Sequence, residues 1–214
     1  MRRALVSACV ICFMTFAGLP ARADSARLFF DSLKDLQAIG NTYGKFGITF
    51  SSNALAVTSS LKGGIGNFGS NPSGRNVFGY ETGSSVTMNV AGGFTSGLSF
   101  FYSAMDASGV VTVWDGANGT GKVLATISLA KSGNTGCPNG SAMCVWTPVG
   151  LTFAGTAKSV TFGGNAGKIG FDSVFVGNAV PSATPESSSA LLLGIGLVAL
   201  SCAGRLRSFF SART

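Results

Sequence analysis

The chain has 214 residues, no histidine and a formal net charge of +7. The lack of histidine excludes Ser-His-Asp and Cys-His catalysis, and any zinc site with a histidine ligand. Three of the 15 basic residues lie at or before Arg22 and three from Arg205 onward, which leaves nine basic residues against all eight acidic ones. The excess positive charge therefore belongs to the terminal segments and does not indicate nucleic-acid binding.

Residues 1–23 have the pattern of a secretory signal peptide. Arg2 and Arg3 precede an apolar stretch, Ala4 to Leu19, that contains no acidic residue. Ala21-Arg22-Ala23 then gives the small-x-small pattern before a signal-peptidase cut at Asp24. We therefore expect an exported protein whose mature chain begins at Asp24.

Residues 24–178 are predicted to form one all-β domain, a single β-sandwich. Short runs of β-formers recur between breaks rich in Gly, Asn and Ser, and helical periodicity is nearly absent. A short helix is predicted only at Ser32–Ile39. The predicted strands are Arg27–Phe30, Gly47–Ser51, Ala54–Thr58, Ser85–Val90, Gly97–Tyr102, Val110–Trp114, Val123–Leu129, Val145–Val149, Lys158–Phe162 and Lys168–Val176.

One pair of these strands is predicted to form a hairpin. Val110–Trp114 alternates between apolar and polar residues, and Val123–Leu129 runs back after a turn. The turn contains Asp115-Gly116 and Asn118-Gly119, which tolerate positive φ.

Two cysteines remain in the body of the chain, Cys137 and Cys144. In an oxidising compartment this spacing predicts a disulfide that closes a small loop. The alternative, a redox or metal-binding pair, has no further cysteine or histidine in the body to support it.

The C-terminal segment is predicted to be a linker followed by a membrane-spanning helix. Residues 179–189 are rich in Pro and Ser, and residues 190–207 contain an apolar run that ends at Arg205 and Arg207. The 15 residues from Ala190 to Gly204 span about 22 Å as a helix, short of the ~30 Å of a bilayer core. The basic end predicts a cytoplasmic tail with the body outside. The alternative is a buried C-terminal core helix.

This order of features resembles the PEP-CTERM sorting signal. Pro185 and Glu186 match its Pro-Glu element, Arg205 and Arg207 match its basic end, and Ser187 stands where the family has a second proline. The resemblance implies an exosortase-type processing protease and the inner membrane as partners. It also implies transfer to the cell surface or the extracellular space once the tail is removed.

Seven stretches of the body carry a second resemblance: Tyr43–Phe50, Gly64–Phe68, Met88–Phe94, Val111–Lys122, Val145–Gly150, Phe153–Ala157 and Ile169–Asp172. Through them, most of residues 27–177 resembles the ectodomain of a group of PEP-CTERM surface proteins. The resemblance implies a jelly-roll, carbohydrate-binding-module-like sandwich and an association with exopolysaccharide.

Two kinds of binding residue follow from that resemblance. The first and last strands of a jelly roll commonly lie side by side, so Asp31 and Asp172 could share a structural Ca²⁺. The alternative is that Asp172 hydrogen-bonds a neighbouring loop. Aromatic side chains could stack on sugars unless they belong to the core; the candidates are Tyr43, Tyr80, Tyr102, Trp114 and Trp146.

The function predicted from these features is that of a non-catalytic surface or matrix protein. The alternatives are a secreted carbohydrate-active enzyme and a purely structural adhesin. A glycosidase would need two carboxylates about 5–9.5 Å apart across a cleft. The carboxylates available are Asp31, Asp35, Glu81, Asp106, Asp115 and Asp172.

Overall fold

A computed structural model describes residues 25–105 and 108–181. Within these residues the chain forms twelve strands and three short 3-10 helices. The strands are β1 (Ala26–Leu28), β2 (Gln37–Ala38), β3 (Ile48–Phe50), β4 (Leu55–Thr58), β5 (Asn76–Gly79), β6 (Ser85–Phe94), β7 (Leu98–Ala104), β8 (Gly109–Trp114), β9 (Val123–Leu129), β10 (Thr147–Leu151), β11 (Ala157–Gly163) and β12 (Ile169–Val176). The 3-10 helices are Gly44–Phe46, Ser60–Lys62 and Pro138–Gly140.

The strands form two antiparallel sheets. The seven-stranded sheet has the order β10-β7-β12-β5-β4-β2, with β1 also paired to β12. The five-stranded sheet has the order β3-β6-β11-β8-β9. Side chains from both sheets meet in one apolar core, so the predicted all-β sandwich is confirmed.

The core between the sheets is built largely from phenylalanine. Phe78 of β5 stacks on Phe171 of β12 with ring centroids 5.0 Å apart, and Phe162 of β11 meets both rings edge-on from the opposite sheet. All three are fully buried. Along most of the strands, alternate residues face this core, because successive side chains of a strand point to opposite faces of the sheet.

The first and last strands lie side by side. Ala26 is paired with Val176 and Leu28 with Val174. Because the pairing is antiparallel, the described chain enters and leaves at the same end of the seven-stranded sheet.

The prediction of a helix at Ser32–Ile39 is wrong. Leu36 has a φ of +57°, which a right-handed helix does not allow. Gln37–Ala38 forms the edge strand β2 against β4 instead. The carboxylate of Asp35 accepts hydrogen bonds from the distant amides of Thr58 and Ile65. These long-range contacts hold the segment as a turn.

The two predicted targeting segments, residues 1–23 and 190–207, lie outside the described residues. The same holds for Pro185, Glu186, Arg205 and Arg207. In residues 25–105 and 108–181, no helix is both long and apolar enough to cross a membrane.

Candidate binding site

A layer of loops packs on the outer face of the seven-stranded sheet. Val57 of β4 and Val77 of β5 point outward, because their neighbours Ala56 and Phe78 belong to the main core. Phe68 and Met143 cover these valines and complete a second, smaller apolar cluster. They come from residues 59–75 and 130–146, which together we call the loop layer.

The two halves of the loop layer are joined to each other. The Gly69 amide donates to the Met143 carbonyl at 2.8 Å, and the Ala142 amide donates to the Asn67 side-chain oxygen at 2.9 Å. The Trp146 indole N–H donates to the Gly69 carbonyl at 2.9 Å. The layer is therefore one packed unit held by backbone and side-chain hydrogen bonds.

A disulfide closes the second half of the layer. Cys137 and Cys144 are bonded to each other, with their Cα atoms 5.5 Å apart. The Asn134 side-chain oxygen accepts the amides of Cys144 and Val145 at 2.9 and 3.0 Å. These contacts position Met143, directly before the second cysteine.

A pocket of about 170 Å³ lies between the loop layer and the outer face of the sheet. Its floor comes from β4, β5 and β12, and its walls come from the loop layer and from the turn before β12. The lining residues are Val57, Ile65, Gly66, Asn67, Phe68, Val77, Gly79, Tyr80, Glu81, Met143, Gly167, Ile169 and Gly170.

Two glycines on neighbouring strands create the space. Phe78 is paired with Phe171, and that register sets Gly79 next to Gly170 at outward-facing positions. A Cβ atom at Gly79 would lie no closer than 3.5 Å to any neighbour. One at Gly170 would lie 3.5 Å from the Trp146 ring and 3.3 Å from Val77. Side chains at these two positions would occupy the pocket floor.

The pocket has an apolar interior and two polar groups at its edge. Val57, Phe68 and Met143 are more than nine-tenths buried, whereas Asn67 and Glu81 are exposed. Among the described residues, the side-chain nitrogen of Asn67 has no hydrogen-bond partner. Such a pocket fits a ligand with an apolar face and hydrogen-bonding edges.

Asp31 and Asp172 hold the segment between Asn71 and Asn76. Asp172 is fully buried and accepts four hydrogen bonds. Two come from the Ser73 amide and hydroxyl, one from the Asn71 side chain and one from the Ser173 amide. Asp31 accepts the amides of Arg75 and Asn76 at 2.8 and 2.7 Å.

This arrangement does not fit a calcium ion shared by the two carboxylates. Donors from the protein point at both oxygens of Asp172, where a cation would need free lone pairs. One buried acceptor nearby, the side-chain oxygen of Asn76, has no hydrogen-bond partner among the described residues. A single orphaned oxygen does not make a cage of the six to eight ligands that Ca²⁺ takes. The alternative interpretation of Asp172, hydrogen bonding to a neighbouring loop, describes the structure.

Burial controls the protonation of the groups around this loop. Desolvation raises the pKa of Asp172 above its ordinary value, although its four hydrogen bonds act in the opposite direction. Burial also raises the pKa of Tyr80 to about 12. The pKa of Tyr43 is raised by burial first, and then by the charges of Asp31 and Asp172.

Three of the candidate sugar-stacking aromatics are core residues, which corrects that interpretation. Tyr43, Tyr80 and Tyr102 are all more than nine-tenths buried and pack in the main cluster. Their hydroxyls donate to the carbonyls of Phe29, Ser84 and Ala130, respectively. A buried ring offers no free face to a ligand.

The two tryptophans are half-buried and lie on opposite sides of the molecule. Trp146 belongs to the loop layer, beside the pocket floor. Trp114 lies on the outer face of the five-stranded sheet, where its indole N–H donates to the Thr161 hydroxyl at 3.1 Å. The turn after β8 folds over that face, because Asn118 and Asn89 exchange two hydrogen bonds. The structure does not bring the two tryptophans together.

Most of the described carboxylates are engaged by the backbone. Asp31, Asp35, Asp115 and Asp172 each accept hydrogen bonds from backbone amides. Glu81 is the one acidic side chain that lines the pocket. Asp106 lies outside the described residues.

Sequence reasoning did not identify the pocket. The predicted strands do not include Asn76–Gly79, which forms β5 and part of the pocket floor. A usable signal was present: Phe78 precedes a glycine and Phe171 follows one, so each strand places glycine on the face opposite its core aromatic residue.

The matches to known proteins are with solved structures. No protein-family model and no curated protein matches the chain. Three similar structures are carbohydrate-binding modules. That of Cellvibrio mixtus lichenase 5A, in complex with cellotriose, is 15% identical over 58% of this chain and 86% of that one, with a TM-score of 0.33.

The second is the C-terminal module of a marine laminarinase from Zobellia galactanivorans, at 14% identity over 71% of this chain and 98% of that one, with a TM-score of 0.35. The third is TmCBM61 in complex with beta-1,4-galactotriose. It is 13% identical over 67% of this chain and 98% of that one, with a TM-score of 0.36. All three superpositions are loose, so the ligand of this chain has to be inferred from its own residues.

Proposed function

We propose that this chain is a non-catalytic exported protein that binds polysaccharide through the pocket beneath its loop layer. The observation that carries the proposal is the pocket itself, whose apolar floor is edged by Asn67 and Glu81. A sugar ring has the matching character, with an apolar face of C–H groups and a rim of hydroxyls. The ring would lie on the glycine floor with its hydroxyls at the polar edge.

The arrangement of carboxylates supports a binding role. Glycoside hydrolysis needs two carboxyl groups on either side of the scissile bond. Among the described residues, Glu81 has no second carboxylate across the pocket. Asp31, Asp35 and Asp172 are engaged by amides of the loops and strands around the site. The chain is therefore proposed to hold its ligand without cleaving it.

The terminal segments support a surface or extracellular-matrix location. Residues 1–23 would direct export. The Pro185-Glu186 element, the apolar run and Arg205 would direct sorting by an exosortase-type protease at the inner membrane. Mass spectrometry of the mature protein, with and without the cognate exosortase, tests this part. An intact C-terminus in both samples would leave membrane anchoring as the role of the tail.

Glycan binding by the mature chain tests the pocket. The variant Gly79→Val should abolish binding, because its Cβ fits without a clash and its methyl groups would fill the floor. Gly133→Val is the matched control, since Gly133 is exposed and has no atom within 4 Å of its Cβ position. The assay should be repeated with EDTA. If no glycan binds with or without calcium, or if Gly79→Val binds like the wild type, the proposal is wrong.

A further inference from the structure

The charge inside the pocket is entirely negative. Glu81 is the one charged residue among those that line it, and no lysine or arginine contributes to the lining. In the part of the chain that the structure describes, Glu81 forms no ion pair. Lys168 directly follows Gly167, in the turn before β12. Its ammonium group is directed to the sulfur of Met105, at 3.6 Å. The carboxylate therefore remains available to a ligand.

The backbone around Glu81 places this residue at the pocket edge. Glu81 lies two positions after Gly79, the last residue of β5, and lines the pocket. The turn before β12 packs beside it, because the Gly167 amide donates to the Tyr80 carbonyl at 2.8 Å. Glu81 Oε2 lies 3.2 Å from the position that a Cβ at Gly167 would take, and Gly167 has a φ of +67°. The turn approaches the carboxylate closely because glycine occupies this position.

We infer that the pocket prefers a sugar residue that carries an ammonium group, as in a partly de-N-acetylated hexosamine polymer. This inference rests on the proposed function. An ammonium on the ring edge would donate a charge-assisted hydrogen bond to Glu81, while the apolar face of the ring lies on the floor. An N-acetylated ring loses the charge, and a uronic acid brings a second negative charge beside the first.

The position of Glu81 sets the size of the preference. The side chain is exposed, so the interaction is screened by water and salt. We expect an ammonium-bearing oligomer to bind about 2- to 5-fold more tightly than its N-acetylated counterpart at low ionic strength. The preference should shrink as salt is added, whereas the contribution of the apolar floor should not.

The experiment compares glucosamine oligomers with N-acetylglucosamine oligomers of the same length, by calorimetry on the mature chain. The wild type should prefer the glucosamine oligomer, and Glu81→Gln should lower the ratio of the two affinities to about 1. Asp115→Asn is the control. It removes one negative charge in the turn between β8 and β9, on the other sheet, and keeps an oxygen that can accept the Lys122 amide. Its ratio should match that of the wild type.

The two levels of the proposal fail in different ways. If neither oligomer nor any neutral glucan binds, the proposed function is wrong and this inference falls with it. If glycans bind and Gly79→Val blocks them, but the two oligomers bind equally or Glu81→Gln leaves their ratio unchanged, only the ammonium preference is overturned. If Asp115→Asn lowers the affinity ratio as much as Glu81→Gln does, the ammonium preference is also overturned, because general charge attraction would then explain it.

Discussion

Ser73 donates two hydrogen bonds to Asp172, one from its amide and one from its hydroxyl, and each is 2.8 Å long. The two residues are 99 positions apart in the chain. Asp31 holds the other end of the same segment through the Arg75 and Asn76 amides. Two carboxylates from the first and last parts of the domain therefore anchor the loop layer to the sheet.

Removal of the Asp172 carboxylate should destabilise the fold. In Asp172→Ala, the partly buried amide of Ser73 and the buried amide of Ser173 would lose their acceptor. We expect a loss of about 2–4 kcal/mol in the free energy of unfolding. Urea denaturation measures this loss. Glu81→Ala is the control, because Glu81 is exposed and its loss should cost less than about 0.5 kcal/mol. Equal midpoints for the two variants would contradict the anchoring role.

The raised pKa of Asp172 predicts the direction of a pH effect. A carboxyl group whose pKa is higher in the folded state binds its proton more tightly there than in the unfolded chain. Its contribution to stability is complete below the unfolded pKa of about 3.9 and is lost as the pH rises through the folded pKa. The stability of the wild type relative to Asp172→Asn should therefore fall as the pH rises above about 4.

Urea denaturation of both proteins across that pH range provides the measurement, since the other titrating groups are common to the two chains. A relative stability that rises with pH would mean that the four hydrogen bonds to Asp172 outweigh its desolvation.

Opening the disulfide should weaken both the fold and the pocket. The bridge joins residues 7 positions apart. In the chain-entropy model, a disulfide that closes a loop of this size adds about 2–3 kcal/mol to the free energy of unfolding. The double variant Cys137→Ser, Cys144→Ser should show this loss by thermal denaturation, together with weaker glycan binding, because Met143 belongs to the pocket wall. Reduced wild-type protein should behave in the same way. Unchanged glycan affinity would show that the wall keeps its position without the bond.

The two tryptophans of the chain should report on the pocket differently. A Cβ at Gly170 on the pocket floor would lie 3.5 Å from the Trp146 ring, whereas Trp114 lies on the other sheet. Ligand binding should change the fluorescence of Trp114→Phe but not that of Trp146→Phe. The opposite result would move the ligand to the outer face of the five-stranded sheet.

Local sequence patterns are sufficient to predict most of the strands. The hairpin of β8 and β9 was predicted because alternation and two turn-forming dipeptides agree over a short range. The strand Val123–Leu129 has the predicted bounds. Asn118, Gly119 and Gly121 adopt the positive φ values that the turn requires. Such features depend on neighbouring residues and can be recognised without the rest of the chain.

The features that the sequence did not predict depend on contacts between residues far apart in the chain. Ser32–Ile39 is kept from forming a helix by contacts of Asp35 with residues 23 and 30 positions away. Asn76–Gly79 contains two residues typical of turns, and it becomes a strand because β4 and β12 lie on either side of it. The pocket depends on the register that brings Gly79 beside Gly170. No local pattern encodes that register.

The pairing of Ala26 with Val176 places both ends of the described chain at one end of the seven-stranded sheet, so the opposite end of the sheet is far from any tether. Gly170, on the pocket floor, is six residues before Val176 along β12, a distance of about 20 Å in a strand. A domain tethered through residue 181 would thus present the pocket, the proposed glycan site, on the side away from the tether. Cleavage of the tail would change how far the site can travel from the cell, while the site itself would keep its shape and access.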